Sequence, residues 1–407
     1  MPLLPLLLFV LTYLGLALGR IPPLKLDRSG FALFGAVAFL ATESISVDQA
    51  KAAVDAPTLT VLFGMMMLSA QYRVSGLYTA IGDRLAHVED PRRLLLGTIA
   101  VSALLSAVLT NDVVCFALTP LLAGALLQSG RPPLPYLLAV ACASNLGSAL
   151  TPIGNPQNIF IAQRLGLRFL PFLLACLVPV ALSLAVLYLL LSRRLGEAGP
   201  ALPVAKPGET STEQRVPLDP RQALKAILLT VVAIGLFLSP VPAPLTALGI
   251  AGAVMLTRRT WTRDMLYLVD WHLLALFIGL FVVVRGFELS GWTEAAGRAL
   301  AAAGADLSQL RMLIPGVAVL SNLVGNVPAV MLMLPFVGRA PSTGYGLALA
   351  STFAGNAVLA GSIANLIVAE QAERMGIRFS FLDHLRTGLP VTLISLTIAA
   401  VTTAFWT

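Results

Sequence analysis

With residue 55 placed over residue 270, the chain matches itself without a gap as far as Pro120 over Pro335. Asp55 meets Asp270, Gly64 meets Gly279, Ser75-Gly76 meets Ser290-Gly291, Gly82 meets Gly297, Ser106 meets Ser321 and Asn111 meets Asn326. Small shifts carry the match further in both directions. Leu11-Thr12 resembles Leu229-Thr230, and Phe34-Gly35-Ala36-Val37 resembles Ala251-Gly252-Ala253-Val254. Downstream, Ser144 meets Ser351, Gly154 meets Gly361, Asn158 meets Asn365 and Arg168-Phe169 meets Arg378-Phe379. A self-match of this length means two copies of one structural unit. The copies occupy 1–194 and 221–407, and 195–220, rich in Pro, Gly, Thr and charge, reads as an exposed linker.

The duplicated unit is a membrane unit. The chain is 57% apolar and only 12% charged, with mean hydropathy +0.86, against about 25% charge in soluble domains. Apolar stretches of about 20 residues recur along it, the length a bilayer crossing needs. Each copy resolves into six membrane pieces and one amphipathic stretch. The first has spans near 3–19, 28–46 and 57–73, an amphipathic stretch at 76–90, a hairpin at 94–128, an interrupted span at 134–162 and a last span at 169–192. The second repeats this near 222–240, 243–257, 271–287, 308–338, 345–370 and 385–405, with an interfacial stretch at 291–303. The expected fold is an all-α polytopic membrane protein of two inverted repeats. It has about ten spanning helices, two re-entrant hairpins (94–128 and 308–338) and two broken helices (134–162 and 345–370).

Re-entrant hairpins leave five crossings per copy, so the copies run antiparallel. Alternating sides on that basis puts 20 of the 27 Lys and Arg beside the linker and 7 opposite. Such an asymmetry makes the linker cytoplasmic, with both termini outside a multi-pass protein of the inner (plasma) membrane. The net charge of +7 and pI near 9.7 then reflect orientation in the bilayer, not nucleic acid binding. Residues 2–18 resemble a signal-peptide core but lack a basic leader, and their recurrence in the second copy marks them as a helix. Cys115, Cys142 and Cys176 lie in apolar segments without metal-ligand spacing, and His87, His272 and His384 fall at segment ends. No nucleophile–base pair assembles, so an enzyme is not expected.

All eight asparagines fall in four short stretches, two per copy. The candidate solute- and ion-binding residues are Thr110, Asn111 and Asp112; Ser144, Asn145, Thr151, Gly154, Asn155 and Asn158; Ser321, Asn322, Gly325 and Asn326; and Gly355, Asn356, Gly361, Ser362 and Asn365. Amides are costly in hydrocarbon unless hydrogen-bonded. One explanation is that they glue helices together. Their company of Gly and Pro favours another. Interrupted helices are tolerated in a membrane only where they line a cavity or are buried in protein, and matched interruptions in two repeats point to a solute site. Asp112 is the one acid there and its counterpart is Val327; it suits Na+ or a coupled proton, or a helix cap. Asp55 and Asp270 read as helix N-caps, Glu43 and Glu370 as exposed span ends, and Arg285 as a snorkelling cation. Met65-Met66-Met67 reads as lipid-facing or packing surface.

The phrases TNDVVCFALTPLL (110–122), ASNLGSALTPIGNPQNIFIA (143–162), SNLVGNVPAVMLMLPF (321–336) and FAGNAVLAGSIANLIVAE (353–370) resemble the ion transporter superfamily with the citrate-transporter-like domain. That group includes arsenite/antimonite permeases, NhaD-type Na+/H+ antiporters and divalent anion/sodium symporters. The resemblance implies an elevator-like transporter, usually a homodimer. Asn111, Asn155, Asn326 and Asn365 would hold solute and coupling ion, with Na+ near Asn111, Asp112 and Asn155. The tips here read Thr-Asn-Asp and Val-Gly-Asn-Val-Pro in place of the symporters' Ser-Asn-Thr, a departure from sodium-coupled dicarboxylate carriers. GNPQN (154–158) looks closer to the inorganic-anion and arsenite-like branch. The expected function is secondary active transport of a small anion or oxyacid-like solute driven by Na+ or H+, with no other cofactor. A Na+/H+ antiporter is the alternative. A channel is a third, because Asn-Pro-Gln and Asn-Val-Pro superficially resemble aquaporin half-helices.

Overall fold

The computed structural model describes residues 1–19, 26–195, 216–257, 259–338 and 340–406, so most of the linker lies outside the described residues. In the first half the helices are α1 (Leu3–Leu18), α2 (Arg28–Ala41), α3 (Val47–Ala53), α4 (Ala56–Val74), α5 (Leu77–Ala86), α6 (Pro91–Val108), α7 (Asn111–Gln128), α8 (Leu134–Ser148), α9 (Pro156–Leu165) and α10 (Phe169–Arg194). The second half runs in the same order: α11 (Pro220–Leu238), α12 (Ala243–Met255), α13 (Thr262–Tyr267), α14 (Trp271–Leu289), α15 (Trp292–Ala302), α16 (Leu310–Val324), α17 (Asn326–Met333), α18 (Pro341–Ala354), α19 (Ile363–Arg374) and α20 (Phe381–Thr403).

Local chemistry explains where these helices begin and end. Asp55 and Asp270 both sit at φ −79° and ψ 84°, and their carboxylates accept from the Thr58 and Leu273 N–H groups, as N-caps do. At the far ends of α4 and α14, Gly76 (φ 73°) and Gly291 (φ 82°) turn the chain through the left-handed region. Among the described residues six helices are long and apolar enough to cross a membrane unaided, or seven if the bent pair Val47–Ala53 and Ala56–Val74 counts as one span. Two of the six are the arms of the first hairpin, α6 and α7. The others are shorter for a reason visible in the sequence. At 1.5 Å per residue α8 is about 22 Å long and α9 about 15 Å, so neither reaches across a ~30 Å hydrocarbon layer alone.

Packing divides the helices into two groups. In the first, the halves exchange partners: α4 packs on α12 and α14 on α2, with α1 and α11 alongside. The exchange depends on glycine. A Cβ on Gly64 would stand 2.6 Å from the Ala247 carbonyl carbon, and one on Gly279 the same distance from that of Ala32. Gly279→Ala must therefore push backbone against backbone, a clash in a class that costs about 1–3 kcal/mol or more. We expect a lower melting temperature and less monodisperse protein in detergent. Unchanged melting would show that α2 and α14 can move apart freely.

The second group holds the hairpins and broken helices: α6 on α8, α16 on α18, α10 on α20 and α7 on α19. The outward faces of α10 and α11 expose Leu174, Val178, Leu182, Leu228 and Val231, as lipid-facing helices do. Met65, Met66 and Met67 are all buried, so of the two surfaces expected for them they form packing surface. Of the two amphipathic stretches, α5 buries Tyr78, Gly82 and Leu85 and packs on α7, whereas α15 buries none of its residues.

Candidate functional site

Each hairpin turns within one or two residues. The first reverses at Leu109 and Thr110, where Thr110 takes φ +41°, a conformation that costs a β-branched residue energy. Its counterpart at the second tip, Gly325, takes φ +92° at no such cost. The broken helices part at 149–155 between α8 and α9 and at 355–362 between α18 and α19. Asn155 restarts α9 by accepting from the Asn158 N–H at 2.8 Å. Both tips and both breaks meet at one place.

At the centre lies Asn145, with no exposed surface. Its Nδ2 donates to Asn356 Oδ1 at 2.8 Å and to Asn365 Oδ1 at 3.1 Å. Its Oδ1 accepts from Asn111 Nδ2 at 2.9 Å and from Ser362 Oγ at 3.0 Å. Four bonds exhaust what an amide can make, and three of them reach more than 200 residues along the chain. The reciprocal contact comes from Thr352, the residue that the repeat sets over Asn145. Its Oγ1 accepts from Asn155 Nδ2 at 3.2 Å and Gln157 Nε2 at 3.3 Å. Each half thus inserts a polar side chain into the other half's break.

Around this pair the remaining candidates brace backbone. Asn158 Nδ2 donates to the carbonyls of Ser148 and Thr151, and Thr151 Oγ1 to that of Ala107. Asn322 Nδ2 donates to Ala318 and Ala354, and Asn365 Nδ2 to Gly355. Asn356 Nδ2 reaches the Cys142 carbonyl, and the Ser144 hydroxyl meets Cys115 Sγ at 2.9 Å. The Asn326 amide, turned with its nitrogen toward the carbonyls of Ser351 and Gly361, donates to them at 3.0 and 3.3 Å. Ser321 Oγ is buried with no partner among the described residues. Gly154 lies against the Ser148 carbonyl with no room for a side chain. Much of the amide content therefore does hold helices together, the first of the two explanations weighed from sequence.

A cavity of about 40 Å³ opens where the two packing groups meet. Of the expected site residues it is lined by Asn111, Asp112, Gly325, Asn326, Gly361 and Ser362. The other candidates, Thr110, Ser144, Asn145, Thr151, Gly154, Asn155, Asn158, Ser321, Asn322, Gly355, Asn356 and Asn365, stand outside its lining. Asn155 spends one bond of Oδ1 on its cap and Nδ2 on Ser148 and Thr352, and it stands behind the cavity wall that Asn111 and Asp112 line. Asp112 does not cap α7. Thr110 holds the cap position without a side-chain bond, and Asp112 falls in the first turn, on the cavity wall. Asn111 keeps a buried Oδ1 with no partner among the described residues, a polar atom short of a ligand.

The starts of α7, α9, α17 and α19 all reach this cavity, through Asn111, Pro156, Asn326 and Ile363. Helix N-termini carry partial positive charge and attract anions. Two residues that no motif pointed to complete the picture. Arg28, at the first turn of α2, reaches the cavity from the other packing group. His384, in the first turn of α20 and so at a segment end as expected, is fully buried, with Nε2 at 2.9 Å from the Asn356 carbonyl and 3.3 Å from Asn365 Nδ2. Neither lies near an asparagine in sequence, and the repeat could not reveal Arg28 because its counterpart is uncharged.

Hairpin tips and helix breaks converging on one cavity, inside a sheath of apolar helices, define a multi-pass membrane transporter. The sequence model of the citrate transporter family matches residues 7–353, and the chain belongs to that family. It is similar to the silicon efflux transporter LSI3 of Oryza sativa subsp. japonica, 30% identical over 92% of each chain. It is also similar to the putative transporter arsB of Dictyostelium discoideum, 25% identical over 92% of this chain and 87% of that one. Among solved structures the YdaH transporter of Alcanivorax borkumensis shares the fold, with a TM-score of 0.61 and 17% identity over 99% of this chain and 98% of that one.

Proposed function

We propose that this protein is a secondary active transporter of a small oxyacid or its anion, coupled to Na+ or H+. The observation that carries the reading is the cavity itself. Four helix N-termini, Asn111 with its unpartnered Oδ1, and Asp112 line one small space. The helix ends and amides ligate the solute's oxygens, and Asp112 takes the cation or proton. Size narrows the solute. At about 40 Å³ the cavity is small, which suits a tetrahedral or pyramidal inorganic oxyacid better than a tricarboxylate. The silicon carrier and arsB among its relatives support the same choice.

Alternating access follows an elevator-like course in this reading. The cavity is walled on one side by Leu16, Arg28, Leu273 and Leu276 of the first packing group and on the other by the hairpins and breaks of the second. Sliding the second group along the first would carry the solute across. The two halves then lie antiparallel in the plasma membrane, with the linker cytoplasmic, and the protein works as a homodimer.

Counterflow in proteoliposomes tests the function. Vesicles loaded with one of silicate, arsenite, sulfate or citrate should take up the same labelled solute, with saturation, for a small oxyacid. Citrate alone as substrate would overturn the size argument, and linear, gradient-insensitive flux would make the protein a channel. A Na+/H+ antiporter is favoured by Asp112 alone; it predicts Na+-dependent proton movement with none of the four solutes carried.

A further inference from the structure

The two charged residues on the cavity wall both come from the first half. The repeat sets Val327 over Asp112, and the offset that aligns Phe34 with Ala251 sets Leu245 over Arg28. The charge on the cavity wall is therefore supplied by one half alone, and Arg28 is its cation. One Nη of Arg28 donates to the Ala360 carbonyl, in the second break, at 3.2 Å. A Cβ on Gly325 would stand 3.5 Å from the other Nη, so the guanidinium lies directly against the second hairpin tip. Among the described residues Arg28 makes no ion pair. The neighbouring carboxylate is turned away: Asp27 accepts from Ser29 Oγ at 2.6 Å and Gly30 N–H at 2.8 Å, bonds that hold it below the usual carboxylate range. A guanidinium has five N–H donors, and among the described residues Arg28 uses them in one side-chain hydrogen bond, to Ala360.

We propose that Arg28 is the specificity-determining residue of this site, gripping an ionised oxygen of the solute so that the species bound is the anion and not the neutral oxyacid. The inference rests on the transport reading of the cavity and adds the charge state of its solute. Planar guanidinium donors match oxyanions and make hydrogen bonds about twice as strong as neutral ones. Arg28 also belongs to α2, in the first packing group, whereas its partners belong to the second. Its grip therefore exists only while the groups stand in this relation, and it would be released as they slide.

The test uses the full-length protein in proteoliposomes, with whichever of silicate, arsenite or sulfate the wild type exchanges. Arg28→Gln keeps a donor for the Ala360 carbonyl and removes the charge, and Arg28→Lys keeps the charge and removes the fork. For Arg28→Gln we expect KM for the solute to rise about 10- to 100-fold with melting unchanged, and for Arg28→Lys a smaller rise. An unchanged KM in Arg28→Gln overturns the proposal, because the solute is then bound neutral. Equal loss in both variants also overturns it, since Arg28 would then act by geometry and not by charge. Failure of the wild type to exchange any of the three is a different result: it removes the small-oxyacid reading of the cavity, and this inference with it.

Discussion

Replacing Asn145 by alanine is expected to abolish transport and to destabilise the protein. The substitution strands Asn111 Nδ2, Asn356 Oδ1, Asn365 Oδ1 and the Ser362 hydroxyl in the interior. A buried polar group left without its partner costs about 1–3 kcal/mol, and here several lose one at once. They do not add simply, because they belong to one network. The expected result is a marked fall in melting temperature and solute exchange at background level. Asn356→Ala, which removes one bond of the four, should show a smaller loss, and the double variant should lose less than the sum. If Asn145→Ala melts and transports like the wild type, the two broken helices are held by something other than this amide.

Asp112→Asn should separate the solute from its driving ion. Asparagine resembles the protonated acid in shape and cannot carry the charge. Accumulation against a gradient should fall to background if the carboxylate is the only coupling group, as intramembrane carboxylates serve ion pathways and proton relays. Solute-for-solute exchange, which moves no net ion, should persist. Uphill accumulation that survives in Asp112→Asn would take the coupling role away from this residue. Loss of exchange along with accumulation would make Asp112 a ligand of the solute itself.

Several features were legible from residue order because hydrocarbon makes them costly to place anywhere else. Eight asparagines confined to four stretches announced both hairpin tips and both breaks, and the structure puts a tip or a break at each. The matched acids Asp55 and Asp270 announced two helix starts, which take the same backbone angles. Such signals are local, since a cap or a turn is decided by residues three or four apart. The split between lining and bracing amides is not local. Asn111 and Asn145 look alike in sequence, yet one lines the cavity with its oxygen unpartnered among the described residues and the other spends all four bonds inside the protein.

By itself, then, the sequence determined an all-helical membrane chain duplicated within itself and interrupted at matching polar points. Solvation dictates these things: apolar length must match the lipid, and polar backbone must be hidden from it. Only the tertiary structure decided which polar groups satisfy one another, and which residues from distant helices share the space left over. Arg28 and His384 come to the site from outside every motif, Arg28 through the packing of α2 against α14 and His384 through that of α20 against α18. A side chain's partner 200 residues away leaves no trace in its neighbours, because packing geometry, not local preference, brings the two together.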